Sequence, residues 1–340
     1  MRHYISFWNV ENLFAPENYV AREPWIKDKN KNDLAGWTEA LFDKKINQLA
    51  SVITFMNDAH GPDILGVCEV ENRYVLEKLR DHIAQIPGGR EYEIVHANSE
   101  LDHRGIDTAF LYDPQAYSVN PDTIFSHFVL RRTGTRDILQ ATFTTTQGGN
   151  DLVLMCNHWP SRSGGAVESA GFRATAGETL SYWHERILEE CGNHTALLAF
   201  GDFNDDPFDN SIIFNALATR ERGDVERAES PKLYNLAWNY LKQTTQDHMG
   251  NDRSIDGTLY YKGNGNVFDQ ILVNRPLVEA TPPFAVLENT AKIELYAPMV
   301  SHRVGEGPIR FGLPKGNVIK NVNENGFSDH FPVSVQIEEI

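Results

Sequence analysis

LLAFGDFNDDP, residues 197–207, begins as an apolar strand and ends in a cluster of carboxylates. Leu197 to Phe200 have the composition of a buried strand, and Gly201 to Pro207 that of a turn. A turn explains these residue types but not their recurrence. In YISFWNV, Asn9 shares a strand face with Ile5 and Phe7, and in ILGVCEV, Glu69 shares one with Leu65 and Val67. His158 follows Leu154 and Cys156, while Asp202 follows Leu198 and Phe200, with Asn204 next. Asp269 alternates with Val267, Ile271 and Val273, and Asp329 and His330 stand just before the last strand. The two-residue period of a strand places each polar group on an otherwise apolar face. Partly buried carboxylates gathered in one place repel each other unless a cation neutralises them.

The donor types indicate which cation. Oxygen ligands without cysteine favour a hard ion, Mg²⁺ or Mn²⁺, over structural zinc. Glu69 and Asp329 suit it as ligands, with Asn9 assisting. Two histidines beside such a site point to proton transfer near neutral pH.

Composition sets the outer bounds. The 340 residues can bury a large core. A mean hydropathy of −0.42 and the absence of a bilayer-length apolar run fit a chain without stable membrane insertion. Lys and Arg number 31 against 47 Asp and Glu, a net −16 that opposes loose attachment to polyphosphates but leaves a phosphate-containing substrate open. Cys68, Cys156 and Cys191 are too scattered for a disulfide framework. The first residues enter a strand with no export signal, so the chain is expected in the cytoplasm, or outside after loss of a signal. No protein partner is indicated, and a monomer is expected.

The strand-like runs are spread evenly, with helical patterns between them. Phe42, Ile46, Leu49, Ile53 and Met56 fall on one helix face with Thr38 as cap, and Val75, Leu79, Ile83 and Ile86 on another with Asn72 as cap. A third helix is expected over 170–190. Several strands are apolar on both faces, so both sides of each sheet must be covered. The expectation is one α/β domain over 1–340, two packed sheets with helices outside.

Seven motifs then carry a resemblance: WNVENLF at 8–14, CEVEN at 68–72, RGIDTAFLY at 104–112, NHWPSRSGG at 157–165, GDFND at 201–205, FDQILV at 268–273 and SDHFPV at 328–333. In order and spacing the chain resembles the endonuclease/exonuclease/phosphatase superfamily, deoxyribonuclease I-like, as a bacterial-type member. The resemblance implies a four-layer α/β sandwich of two mainly antiparallel sheets flanked by helices. It implies Glu69 as principal metal ligand beside Asn9, and Asp329 as a second metal-site carboxylate. Asp202 matches the residue that orients or deprotonates the attacking water, and Asn204 the amide that holds it. His330 matches the histidine on the scissile phosphate, oriented by Asp269. His158 matches the other histidine of the deoxyribonuclease-like branch, where abasic-site exonucleases carry tyrosine. Asp107 is a candidate partner for His158, and Arg104 and Arg162, the latter on a Gly- and Ser-rich loop, are candidates for binding phosphate.

The implied activity is divalent-metal-dependent hydrolysis of phosphodiester bonds, with a nuclease leading. The alternative is a phosphatase or phosphodiesterase acting on a lipid head group, an inositol phosphate or another small metabolite. A calcineurin-like metallophosphatase lacks support, because its D-x-H and GNH[DE] motifs are missing, and a non-catalytic scaffold should have lost site residues that are all present. His60, His82, His96, His194 and His302 read as ordinary polar-surface residues, His103 and His248 as loop residues that border the site. RRTGTRD at 131–137, the one dense basic cluster, reads as a solvated turn.

Overall fold

The alternation that marks the polar strand ends also sorts the apolar residues into layers. The computed structural model describes residues 1–99, 102–129 and 135–340. Its strands begin with β1 Arg2–Leu13, β2 Ile64–Val70, β3 Glu93–His96, β4 Asp107–Tyr112, β5 Tyr117–Val119 and β6 Phe125–His127. They continue with β7 Ile138–Thr145, β8 Asp151–His158, β9 Ala196–Asp202, β10 Ala218–Thr219, β11 Leu233–Asn235 and β12 Gln243–Gln246. The last are β13 Asp252–Ile255, β14 Leu259–Tyr261, β15 Asn264–Asn266, β16 Asp269–Val273, β17 Phe284–Ile293 and β18 Val333–Glu339. The longest helices follow a short α1 Pro24–Asn30: α2 Glu39–Ala59, α3 Arg73–Gln85 and α4 Ala170–Cys191.

One sheet has the order β17-β18-β1-β2-β4-β3 and the other β10-β11-β16-β9-β8-β7-β5, with β6 also on β7. Pairing within them is antiparallel except at β1–β2, β8–β9 and β10–β11. Leu152, Leu154, Cys156, Leu198 and Phe200 share one buried cluster with Phe7, Val67 and Phe110 of the first sheet. Their neighbours Val153, Met155, Leu197 and Ala199 point the other way and pack with Ala176, Leu180 and Ile187 of α4. On the first sheet, Phe7 faces the Phe200 ring at 5.6 Å, while Ser6 on the opposite face meets Met56 of α2. The order is therefore helix, sheet, sheet, helix, the four-layer sandwich that the resemblance implies. Gly66 lets the sheets close: a Cβ there would lie 2.1 Å from the Phe200 ring.

The helix starts follow the expected chemistry. The Thr38 hydroxyl accepts from the Leu41 N–H at 3.4 Å, and the Asn72 side chain accepts from the Val75 N–H at 3.2 Å. Helix α2 breaks at Met56–Asp58, where Asn57 and Asp58 take φ of 55° and 53°. No helix of the described residues is long and apolar enough to cross a membrane.

One buried histidine makes stability pH-dependent. His184 lies four residues after Leu180, on the buried face of α4, and its Nε2 has no hydrogen-bond partner among the described residues. Burial pushes its pKa down from 6.5 to about 4. The unfolded chain takes up this proton below about 6.5 and the folded chain only near 4, so stability rises with pH across that window and is lost as pH falls through it. At roughly 1.4 kcal/mol per pKa unit, the full effect is about 3 kcal/mol. His184→Phe should remove that slope in urea unfolding between pH 7 and 4; identical pH dependence in both proteins would contradict this.

Candidate active site

Register brings the polar strand ends together. Asp202, at the end of β9, pairs with His158 at the end of β8 on one side and with Asp269 at the start of β16 on the other. In the first sheet, Asn9 of β1 pairs with Cys68, next to Glu69, and β18 begins just after Asp329 and His330. Asn9 Nδ2 donates to Asp202 Oδ2 at 3.0 Å and so ties the two sheets at this rim.

His330 is held from one side. Its Nδ1 lies 2.7 Å from Asp269 Oδ2, and Asp269 is fully buried. The ring then presents Nε2 toward Asp202 Oδ2 at 3.8 Å. Burial opposes a charge on His330, but Asp269, Asp202 and Asp329 outweigh it and raise its pKa well above the ordinary histidine range. For Asp202, burial and the nearby Asp269 raise the pKa to about 6 against the opposing pull of His330. Its other oxygen accepts from the Asn204 N–H at 3.0 Å, so both oxygens are oriented. Asn204 reaches this position with φ of 52°, a conformation that Asn tolerates better than most residues, and its Nδ2 donates to the Trp159 carbonyl at 3.0 Å.

His158 is the counterpart with the opposite charge state. Burial, then Arg136, Arg104 and His330, hold its pKa well below the ordinary value, so it is neutral. Its Nε2 stands 3.7 Å from Glu69 Oε1 and 3.8 Å from Asp202 Oδ2. Its Nδ1 is buried without a hydrogen-bond partner among the described residues.

The carboxylates on the other flank fit a hard cation. Glu69 occupies the left-handed region at φ 65°, a strained position for a non-glycine residue, and accepts from the Asn12 N–H at 2.8 Å. Burial works against its charge, yet Arg104, His330 and Arg136 keep its pKa below the usual value. Asp329 has no hydrogen bond among the described residues, and burial, Glu11 and Glu69 push its pKa up to about 7. A partly exposed acid raised by two other acids is the environment that a bound cation relieves. The Asn9 amide oxygen nearby accepts from the Glu11 N–H at 3.0 Å. Among the described residues, the one trio of acid and histidine side chains with ligand atoms within 4.8 Å is Asp202, Asp269 and His330. There the His330 Nδ1 is already committed to Asp269.

Two of the expected contacts are absent. Asp107 does not meet His158: its oxygens lie 3.0 Å from His96 Nε2 and 2.9 Å from the Ser99 N–H, because β4 pairs Asp107 with Val70 and turns it toward β3. His96, read as an ordinary polar-surface residue, is its true partner. Arg162 is not free to receive a phosphate. Its guanidinium is bound by Asp205 at 2.7 Å, by Asp209 and by the Asn204 carbonyl, and it lies 4.6 Å over the Phe268 ring. It braces the turn that carries Asn204. Arg104 stays at the site, 3.5 Å from Glu69 and bonded to the Asn12 side chain at 2.6 Å. Of RRTGTRD, residues 131–134 lie outside the described residues. Arg136, read as part of a solvated turn, is buried and donates to the Trp159 carbonyl at 3.0 Å.

Sequence reasoning passed over Glu11, Lys45 and Arg310. Glu11 accepts from Arg310 Nη2 at 2.7 Å and from the Phe311 N–H at 2.9 Å, while Lys45 donates to the Glu11 carbonyl from a fully buried position on α2. The available signal was a lysine on the apolar face of a helix, spaced with Phe42 and Leu49.

The Endonuclease/Exonuclease/phosphatase family model matches residues 4–339. The chain belongs to that family. No curated protein matches it in sequence. Among solved structures, the Bacteroides thetaiotaomicron mannosyl-6-phosphatase is similar at 15% identity and TM-score 0.55, covering 99% of each chain. The human Nocturnin catalytic domain with bound sulfate is 13% identical at TM-score 0.53, covering 100% of this chain and 95% of that one. TDP2 from C. elegans is 13% identical at TM-score 0.52, covering 99% of this chain and 75% of that one. At these identities the likeness concerns the fold. Family membership makes this chain a hydrolase of phosphoester bonds in a family that works with divalent metal.

Proposed function

We propose that this phosphoesterase cleaves phosphodiester bonds of nucleic acid by in-line attack of a water activated at Asp202. The supporting observation is the convergence of three side chains that do not bond one another. His330 Nε2 and His158 Nε2 each stand 3.8 Å from Asp202 Oδ2. That spacing is too long for a hydrogen bond and short enough for one tetrahedral group to touch all three. Asp202, held by Asn9 and by the Asn204 N–H, orients the water and takes its proton. Protonated His330 offers its Nε2–H to the phosphoryl group and gives that proton to the leaving oxygen as its P–O bond breaks, and Asp269 keeps the ring charged and aimed. Neutral His158 and the half-exposed Arg104 complete the polar wall.

Glu69 and Asp329, with the amide of Asn9, would hold the divalent ion, for which Mg²⁺ is the proposed choice and Mn²⁺ the substitute. Such an ion supplies charge neutralisation to an anionic phosphodiester. A second reading follows from the net charge of −16, which repels a long polyanion more than a lipid head group or a small phosphorylated metabolite.

A substrate panel separates the two. Plasmid DNA, short oligonucleotides, sphingomyelin, inositol polyphosphates and mannose 6-phosphate are offered at matched Mg²⁺ and low salt. Cleavage of the oligonucleotides is expected. Turnover of the lipid or the small phosphates alone, with DNA and RNA untouched, would contradict the nuclease assignment.

A further inference from the structure

The cleft lined in part by Asp329 has a volume of about 880 Å³. One wall is the β14–β15 hairpin, fixed to the centre because Leu259 pairs with His330 and the Phe331 N–H donates to the Thr258 carbonyl at 2.8 Å. The other wall includes Arg310 and Phe311, anchored by buried Glu11. Both walls are thus built onto the site that handles the scissile phosphate.

The lining is the reverse of the protein's overall charge. Lys262, Arg303, Arg310 and Lys320 line it with Glu306 and Asp329 on a chain of net −16; Arg303 is paired with Glu306 at 3.4 Å and Arg310 with Glu11 at 2.7 Å, which leaves the two lysines as its unpaired cations. Lys262 and Lys320 are exposed, and neither forms an ion pair among the described residues. Aromatic rings stand between these charges. Tyr261 is 64% exposed, with Lys262 Nζ 5.2 Å over its ring. Tyr260 is backed by Gly307, where a Cβ would lie 2.2 Å from the ring. The His248 and His302 rings stand 5.2 Å apart on the same lining.

From this we infer that the cleft binds the single-stranded nucleic acid next to the scissile bond, phosphates on Lys262 and Lys320 and bases against the tyrosines. The inference rests on the nuclease reading and gives it a strand class. Alternating cations and exposed rings suit a flexible strand whose bases are unstacked, because stacking needs no base identity and the cations follow the backbone. A lipid head group or a lone phosphate would leave most of this lining without a partner.

The test uses the full chain and a 5′-fluorescein 12-mer of DNA, single-stranded or duplex, with chelator present during binding to block turnover. Tyr261→Ala should weaken single-strand binding about tenfold. Lys320→Glu should weaken it and lower the slope of log K against log salt by at least about one. Circular dichroism confirms that each variant is folded. With Mg²⁺ present, the ratio of kcat/KM on the 12-mer to that on bis(p-nitrophenyl) phosphate should fall about tenfold in each variant. Cleavage of the 12-mer with binding and ratios unchanged in the variants, or tighter binding of duplex, would overturn the cleft assignment while the nuclease reading stands. Hydrolysis of bis(p-nitrophenyl) phosphate with no cleavage of any nucleic acid would overturn both.

Discussion

Asp202→Asn should lower kcat on a phosphodiester by about 10³- to 10⁴-fold while the fold persists. The substitution keeps the size of the side chain and an oxygen able to accept from the Asn204 N–H, which now lies 3.0 Å away. What it removes is the ability to take a proton. Asp202 is suited to that role, since burial and Asp269 raise its pKa to about 6 while Asn9 and Asn204 fix both oxygens. KM should change far less than kcat, because the lost interaction belongs to the transition state. Thermal unfolding checks that the variant is intact. A folded variant within tenfold of the parent kcat would show that another group activates the water.

His330→Ala should cost about 10³-fold or more, since it removes a buried positive donor aimed at developing charge. Asp269→Asn should fall between the parent and that variant, because Asp269 acts through the ring it holds at 2.7 Å. The two residues form one unit, with His330 charged only because its carboxylate neighbours outweigh the cost of burial. The double variant should therefore lose little more than His330→Ala alone. Kinetics on all three proteins give the coupling directly. Losses that multiply independently would mean that Asp269 serves the reaction by some route other than His330.

The parts legible in the sequence were those with local periodicity. The alternation around Asn9, Glu69, His158, Asp202 and Asp269 identified the strand ends, and the structure places these residues at one rim. Thr38 and Asn72 marked helix starts because capping is a three-residue contact. Long-range pairing carried no such signal. Asp107 is near His158 in motif order, but its direction depends on how β4 lies between β2 and β3, and that gives it to His96. Arg162 sits in a Gly- and Ser-rich stretch that suggests freedom, yet three acids of a later turn surround it. Glu11 and Arg310 lie far apart in sequence and meet only once the sheets have packed, so neither motif nor period announced the cleft wall.

The most direct measurement is turnover of an oligonucleotide by protein stripped of metal, repeated after titration with Mg²⁺ or Mn²⁺. Arg104, His330 and Arg136 hold the Glu69 carboxyl below its usual range, while Asp329 stays raised to about 7 by burial, Glu11 and Glu69 despite His330 and Arg310. The account predicts no detectable cleavage in the stripped protein and full recovery with the added ion. Undiminished cleavage after exhaustive metal removal would contradict it.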